Sequence, residues 1–180
     1  MRKTRIGVLF TISTLVVLRA RTASAGPSAA LLVGDGFKDG YNLGLGVRGG
    51  YTLPMNVYLG GTFVYHLGKS EPTQSGDAKL SLFYLGAEGG YEINAGPLIV
   101  RPFLGLGYAN VMATVPGYCV GSVCAAPTSL SDGRVGIWPG ATALFPVGNL
   151  FFGADLRYVV LVNTEDSNAI SFFVTGGTTF

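Results

Sequence analysis

From residue 28 to residue 180, apolar side chains recur at every second position in successive runs. A period of two sends neighbouring side chains to opposite faces, so each run predicts a β-strand with one apolar face. Eight such runs are present, at 28–36, 41–53, 57–68, 81–93, 98–112, 135–147, 150–162 and 169–180. None shows helical spacing. In the second, Tyr41, Leu43, Leu45, Val47, Tyr51 and Leu53 share a face opposite Asn42, Gly44, Gly46, Arg48 and Thr52. In the seventh, Phe152, Ala154, Leu156, Tyr158, Val160 and Val162 oppose Gly153, Asp155 and Arg157. The connections alternate in length. Pro54-Met55-Asn56, Asn94-Ala95-Gly96-Pro97 and Gly148-Asn149 are tight turns, whereas 69–80, 113–134 and 163–168 are longer, with 37–40 as their short counterpart. Strands joined in sequence this way predict an all-β, eight-stranded, antiparallel up-and-down barrel.

Composition narrows the setting of that barrel. The chain is 48% hydrophobic and 12% charged, yet holds no apolar run of about 20 residues that could cross a bilayer as a helix. An apolar β chain is then either a soluble barrel or a membrane-spanning one. Six strand charges, Arg48, Glu88, Glu92, Arg101, Asp155 and Arg157, all stand on the less apolar face, and Asp35 near a strand end is ambiguous. A soluble barrel turns its apolar face inward and a spanning barrel turns it outward, so alternation alone does not choose.

Aromatic placement does choose. Tyr41, Tyr65, Phe83, Tyr108 and Tyr158 stand near the loop ends of the apolar face, and Tyr51, Tyr91, Phe145, Phe152 and Phe180 near the turn ends. Two such rings are expected at two membrane interfaces, where amphipathic rings prefer to sit. The barrel is therefore expected to be transmembrane, with membrane lipid around it and charge in its lumen. The six strand charges are three of each sign and are expected to form a neutral network that plugs the lumen, most of them in a band near mid-depth. Arg48, Glu88 and Asp155 stand five residues up their strands, Arg101 three above Leu98 and Arg157 seven above Leu150. Buried charge is costly unless paired.

The first 25 residues read differently. Arg2, Lys3 and Arg5 precede an apolar stretch from Ile6 to Leu18, and Ala23-Ser24-Ala25 supplies small residues. This is the pattern of a secretory signal, with cleavage expected between Ala25 and Gly26 and the barrel domain spanning 26–180. Removing it takes five of the 12 basic residues and none of the 10 acidic ones, leaving a net charge of −3. No basic surface then suggests nucleic acid. Cys119 and Cys124, the only cysteines, lie in the longest connection and are expected to form a local disulfide in an exported protein. Two cysteines with the single His66 do not make a metal site, and nothing points to a cofactor.

Several motifs carry bland readings. Gly44-Leu45-Gly46-Val47-Arg48-Gly49 matches a dinucleotide fingerprint, but a strand runs through it where a helix N-terminus is needed. Pro102 and Pro139 interrupt strands and are expected at bulges. Trp138 points inward and is expected to fill the lumen. His66 and Ser70 could suggest a lipid deacylase, yet His66 faces the lumen, away from acyl chains, with Ser70 in a loop.

Gly49-Gly50-Tyr51-Thr52-Leu53-Pro54, Gly89-Gly90-Tyr91 before a turn, and the terminal Phe180 complete the picture. Together with the strand pattern, they make the chain resemble the small eight-stranded outer-membrane barrels, the family of the OmpA transmembrane domain and OmpX. The resemblance implies the outer membrane of a Gram-negative bacterium, short turns on the periplasmic side and loops outside. Phe180, Val174 and Phe172 also resemble the C-terminal signal read by the outer-membrane assembly machinery, whereas Thr178 and Gly176 depart from it. A non-enzymatic structural or surface-interaction role is expected, with a narrow pore or a lipid-modifying enzyme as alternatives. The surface-loop ligand is unknown.

Overall fold

The computed structural model describes residues 25–38, 40–73, 76–120, 123–163 and 168–180. The expected signal segment falls outside them apart from Ala25, which is exposed just before the first strand. The strands are β1 (Gly26–Gly36), β2 (Gly44–Thr52), β3 (Val57–Thr73), β4 (Gly76–Tyr91), β5 (Ile93–Ala95), β6 (Leu98–Val115), β7 (Tyr118–Val120), β8 (Val123–Ala125), β9 (Thr128–Val147), β10 (Leu150–Leu161) and β11 (Ala169–Thr179). β5 continues β4 past Glu92 and pairs with β6 as β4 does. Each barrel strand pairs antiparallel with the next, and β1 closes the circle against β11 from Ser28↔Thr179 to Gly36↔Ser171. The molecule is a closed, eight-stranded, up-and-down barrel.

The alternation sets the faces. Leu32, Tyr58, Val64, Tyr84, Trp138 and Phe173 are buried in the lumen, while Leu31, Leu59, Leu104, Phe152 and Val174 project outward and stay exposed. An outer surface this apolar matches a lipid-facing belt rather than a water-facing one.

The rim departs from expectation. The segments 69–80 and 113–134, expected as loops, are largely strand: β3 and β4 pair out to Thr73↔Gly76, and β6 and β9 out to Val115↔Thr128. β4 and β6 stay paired to Lys79↔Thr114. By contrast β1 ends at Gly36, β2 begins at Gly44, β10 ends at Leu161 and β11 begins at Ala169. Among the described residues, four neighbouring strands therefore rise beyond the rim, on one side only. Alternating hydrophobicity marks a strand only where one face is apolar, and a ladder with water on both faces loses that signature.

The extension has two local devices. Between His66 and Lys69 the β3–β4 register shifts, with Gly68 at φ 71°. A bulge with a left-handed residue favours glycine. Farther out, Val115 faces Thr128 and Tyr118 faces Ala125, so the β7–β8 hairpin keeps the β6–β9 register across Pro116 and Pro127. The two prolines lack N–H groups and interrupt the ladder there.

Pro102 and Pro139, expected at bulges, are instead in regular register, facing Ala141 and Leu104 respectively.

Candidate functional site

The lumen is filled in three tiers. Nearest the short turns, Arg101 pairs with Glu92 through Nη2 and donates from Nε to Glu92 Oε1 at 3.1 Å. Thr52 Oγ1 donates to the same oxygen at 2.9 Å, and the Arg101 guanidinium lies 3.9 Å from the centre of the Tyr58 ring. A cavity of about 50 Å³ lies beside this pair, lined by Ser28, Thr52, Phe151 and Thr179 among others.

Above it, four charges form a closed square. Arg48 Nε lies 2.7 Å from Glu88 Oε2, and Arg48 Nη2 donates to Asp155 Oδ2 at 2.7 Å. Arg157 Nε donates to Asp155 Oδ1 at 2.7 Å and its Nη1 to Glu88 Oε1 at 3.5 Å. Each cation touches both carboxylates, a geometry that suits the planar, multi-donor guanidinium fork. Trp138 Nε1 donates to Glu88 Oε1 at 3.0 Å, while Thr142 Oγ1 accepts from Arg48 Nη1 at 3.0 Å and donates to Asp155 Oδ2 at 2.7 Å. Phe103 lies against both cations, 4.8 Å from Arg48 and 5.4 Å from Arg157. All six strand charges are buried. They form a square and, nearer the short turns, a separate pair.

The third tier is aromatic. Tyr84 packs on Trp138 at 5.0 Å between ring centres, and His66 lies 6.0 Å from Tyr84 and 5.8 Å from Phe173. Tyr41 caps the stack, edge-on to His66 at 5.2 Å, and His66 Nδ1 lies 2.8 Å from the Asn42 carbonyl oxygen. With Nδ1 so engaged and the ring fully buried, His66 has no reach to Ser70, which is exposed on the extended part of β3.

Tyr41 is thus a correction. It was expected in the outer aromatic ring, but it is 3% exposed and faces the lumen. β2 begins only at Gly44, and the preceding segment turns back, with Tyr41 N donating to Lys38 O at 3.0 Å. Burial pushes the Tyr41 phenol well above its ordinary range. Its place outside is taken by Phe37, which is 80% exposed and donates its N–H to Ile170 O at 2.9 Å, beside the Tyr158↔Ile170 pair. Phe37 continues the outward parity of Leu31 and Val33, the signal that could have found it. Asp35 shares that parity and is exposed.

The other ring residues lie on the outer face. Tyr65 faces Phe83 across β3 and β4, and the Phe83 and Tyr108 rings are 6.1 Å apart. At the turn end Tyr51, Tyr91, Phe145, Phe152 and Phe180 are exposed, with Phe145 and Phe152 direct cross-strand neighbours. Cys119 and Cys124 face each other in the β7–β8 register, and their side chains lie outside the described set.

No family model matches this chain, and neither does any curated protein. Solved structures do. A major outer-membrane protein from Thermus thermophilus superposes with a TM-score of 0.65 at 12% identity, over 86% of this chain and 99% of that one. Ail, the attachment invasion locus protein of Yersinia pestis, solved with the heparin analogue sucrose octasulfate, gives 0.57 at 15% identity over 87% and 100%. Neisserial surface protein A gives 0.52 at 15% identity over 87% and 96%. At these identities the likeness is one of fold: the chain folds as a closed eight-stranded barrel of the kind that small outer-membrane proteins use.

Proposed function

We propose that this chain is a non-enzymatic outer-membrane protein that acts from its rim, with the lumen as a rigid, filled support. The observation that carries this reading is the one-sided extension, in which four strands leave the rim together and project beyond the aromatic ring. Eight strands enclose an interior only wide enough for side chains. Here paired charges and aromatic rings occupy it, and function is left to the ends. The extension projects outside the cell and the short turns face the periplasm. β1 starts at Gly26, directly after the expected cleavage position, which supports export with processing at Ala25. β11 and the exposed Phe180 are the segment offered to the assembly machinery.

Three measurements test this. Protease added to intact cells should cut within 113–134 and spare 54–56; the reverse result inverts the orientation. In planar bilayers the purified protein should show no steady conductance, and a stable open channel would replace this reading with a narrow pore. Mass spectrometry of lipid A should be the same with and without the protein; a lost acyl chain would make it an enzyme.

A further inference from the structure

The two ends of the barrel differ in what can surround them. At the loop end β4 reaches from Phe83 back to Gly76, and β6 from Tyr108 on to Val115. At roughly 3.3 Å per residue and a strand tilt of about 40°, each stands about 18 Å past the aromatic ring. That segment carries exposed Asp77, Lys79 and Asp132. At the turn end each strand adds a single outward row beyond its ring residue. Leu53 follows Tyr51, Ile93 follows Tyr91, Val147 follows Phe145 and Leu150 precedes Phe152. The same rise and tilt make that row about 5 Å deep. Ile93, Leu98, Val147 and Leu150 are exposed, and Met55 on the first turn is 69% exposed. No side chain in 53–57, 93–98 or 146–150 is charged. Glu92 and Arg101 are near this end, but they are buried and paired in the lumen.

The turns also bond their own backbone. Leu53 N donates to Val57 O at 2.8 Å, Asn56 N to Leu53 O at 2.9 Å, and Asn56 O accepts from Glu92 N at 2.8 Å. Asn149 O accepts from Thr179 N at 2.8 Å and from Thr178 Oγ1 at 3.0 Å. Backbone groups already paired within the protein leave water at little cost.

We infer that the turn end is a lipid-contact surface, sunk in the headgroup layer of its leaflet, and that its occupant is zwitterionic phospholipid. The surface continues the lipid-facing belt without a break and offers no charged side chain to an anionic lipid. A headgroup layer adds about 5–7 Å to each side of the hydrocarbon core, enough to cover the last row and far too little to cover the extension. Asn56, Asn94 and Asn149, set among apolar neighbours, suit a layer of mixed polarity. The barrel then has one wet end, and partners in water reach it only from the rim. This inference goes beyond the rim reading and does not depend on it, because an inverted barrel would immerse the same end.

The test uses the full barrel with Cys119→Ser and Cys124→Ser, in phosphatidylcholine nanodiscs. Met55→Cys, Ala95→Cys and Val147→Cys each carry a nitroxide spin label. Collisions with oxygen, which concentrates in lipid, are compared with those of a water-soluble nickel chelate. The oxygen-to-nickel ratio should lie below that of a Leu104→Cys label in the belt and about threefold or more above that of a Leu130→Cys label on the extension. A ratio equal to that at residue 130 would overturn the inference. Adding Met55→Asp and Val147→Asp should bring the Ala95→Cys label to the ratio seen in water, because ionised carboxylates resist leaving it. A ratio unmoved by the two charges, in a variant whose gel-shift temperature shows it folded, would refute the role of the uncharged surface. Exchanging part of the lipid for anionic phosphatidylglycerol should change nothing, and deeper burial would refute the zwitterionic occupant. Shielding that disappears in discs holding one barrel would assign the surface to a second copy and overturn the inference.

Discussion

The lumen and the extension are made from the same antiparallel ladder, yet opposite things surround them. In the lumen every second ladder position faces a crowded interior, and Arg48, Glu88, Asp155 and Arg157 have no exit to water. Their pairing is compulsory, since a lone buried charge costs several kcal/mol and a compensated one far less. On the extension Asp132 and Arg134 are also an ion pair, at 2.6 Å, but water reaches both. An exposed pair of that kind contributes about 0–1 kcal/mol. The same chemistry is structural in one place and nearly neutral in the other. Burial decides which.

The largest expected effect comes from breaking the square. Asp155→Ala leaves Arg48 and Arg157 sharing Glu88 alone and strips Thr142 of its acceptor. A loss of about 3–5 kcal/mol is expected. It should appear as a clear fall in the temperature at which the folded barrel unfolds on a gel-shift assay. Asp132→Ala on the extension should leave that temperature unchanged. Equal effects from the two would remove the distinction between the regions.

A second, smaller effect tests packing rather than charge. A Cβ built on Gly105 would lie 1.8 Å from Trp138 Nε1, so the indole stands where the side chain would be. Gly105→Ala must push Trp138 off Glu88, and overpacking of this kind costs about 1–3 kcal/mol. Trp138 is the only tryptophan, so its fluorescence reports the displacement directly. An unshifted spectrum would mean that the lumen has slack.

These two experiments also show what the sequence could and could not reveal. Inward parity of Arg48, Glu88, Arg101 and Asp155 was legible, because a period of two reports the face. Which charge meets which was not. Arg101 stands three residues above Leu98, and it pairs with Glu92 beside the turn, apart from the square, since depth depends on stagger between strands. Tyr41 was misplaced because its parity held while its strand did not: the chain folds back before Gly44. The extension was invisible because a ladder wet on both faces has no apolar period to read.

A third experiment follows from the separate lower pair. Arg101→Met together with Glu92→Leu removes both charges at once and leaves no unpaired partner, apart from the Thr52 hydroxyl. Such replacements are often neutral or stabilising. The gel-shift temperature should move little, while Glu92→Leu alone should lower it. A double variant as damaged as the single one would show that this pair holds more than its own charge, with the Tyr58 ring the first suspect.

The smallest effect on the barrel is expected at the tip of the extension, where the question is local order. Cys119 and Cys124 stand opposite each other in the β7–β8 register, joined through only residues 120–123. Directly opposed residues of an antiparallel pair come within the span a disulfide can bridge. In an oxidising compartment the two thiols should therefore be joined. Closing so short a loop stabilises by about 2 kcal/mol in the chain-entropy model. Beyond Pro116 and Pro127 the ladder is interrupted, so this stabilisation stays within the tip and does not reach β6 or β9. Reduction should leave the gel-shift temperature of the barrel unchanged while hastening proteolysis between residues 116 and 127. Cys119→Ser with Cys124→Ser should behave like the reduced protein. Free thiols that alkylate without reductant would show that no bridge forms. If the bridge forms but reduction lowers the barrel's own unfolding temperature, the prolines do not isolate the tip, and lumen and rim are less independent than their surroundings imply.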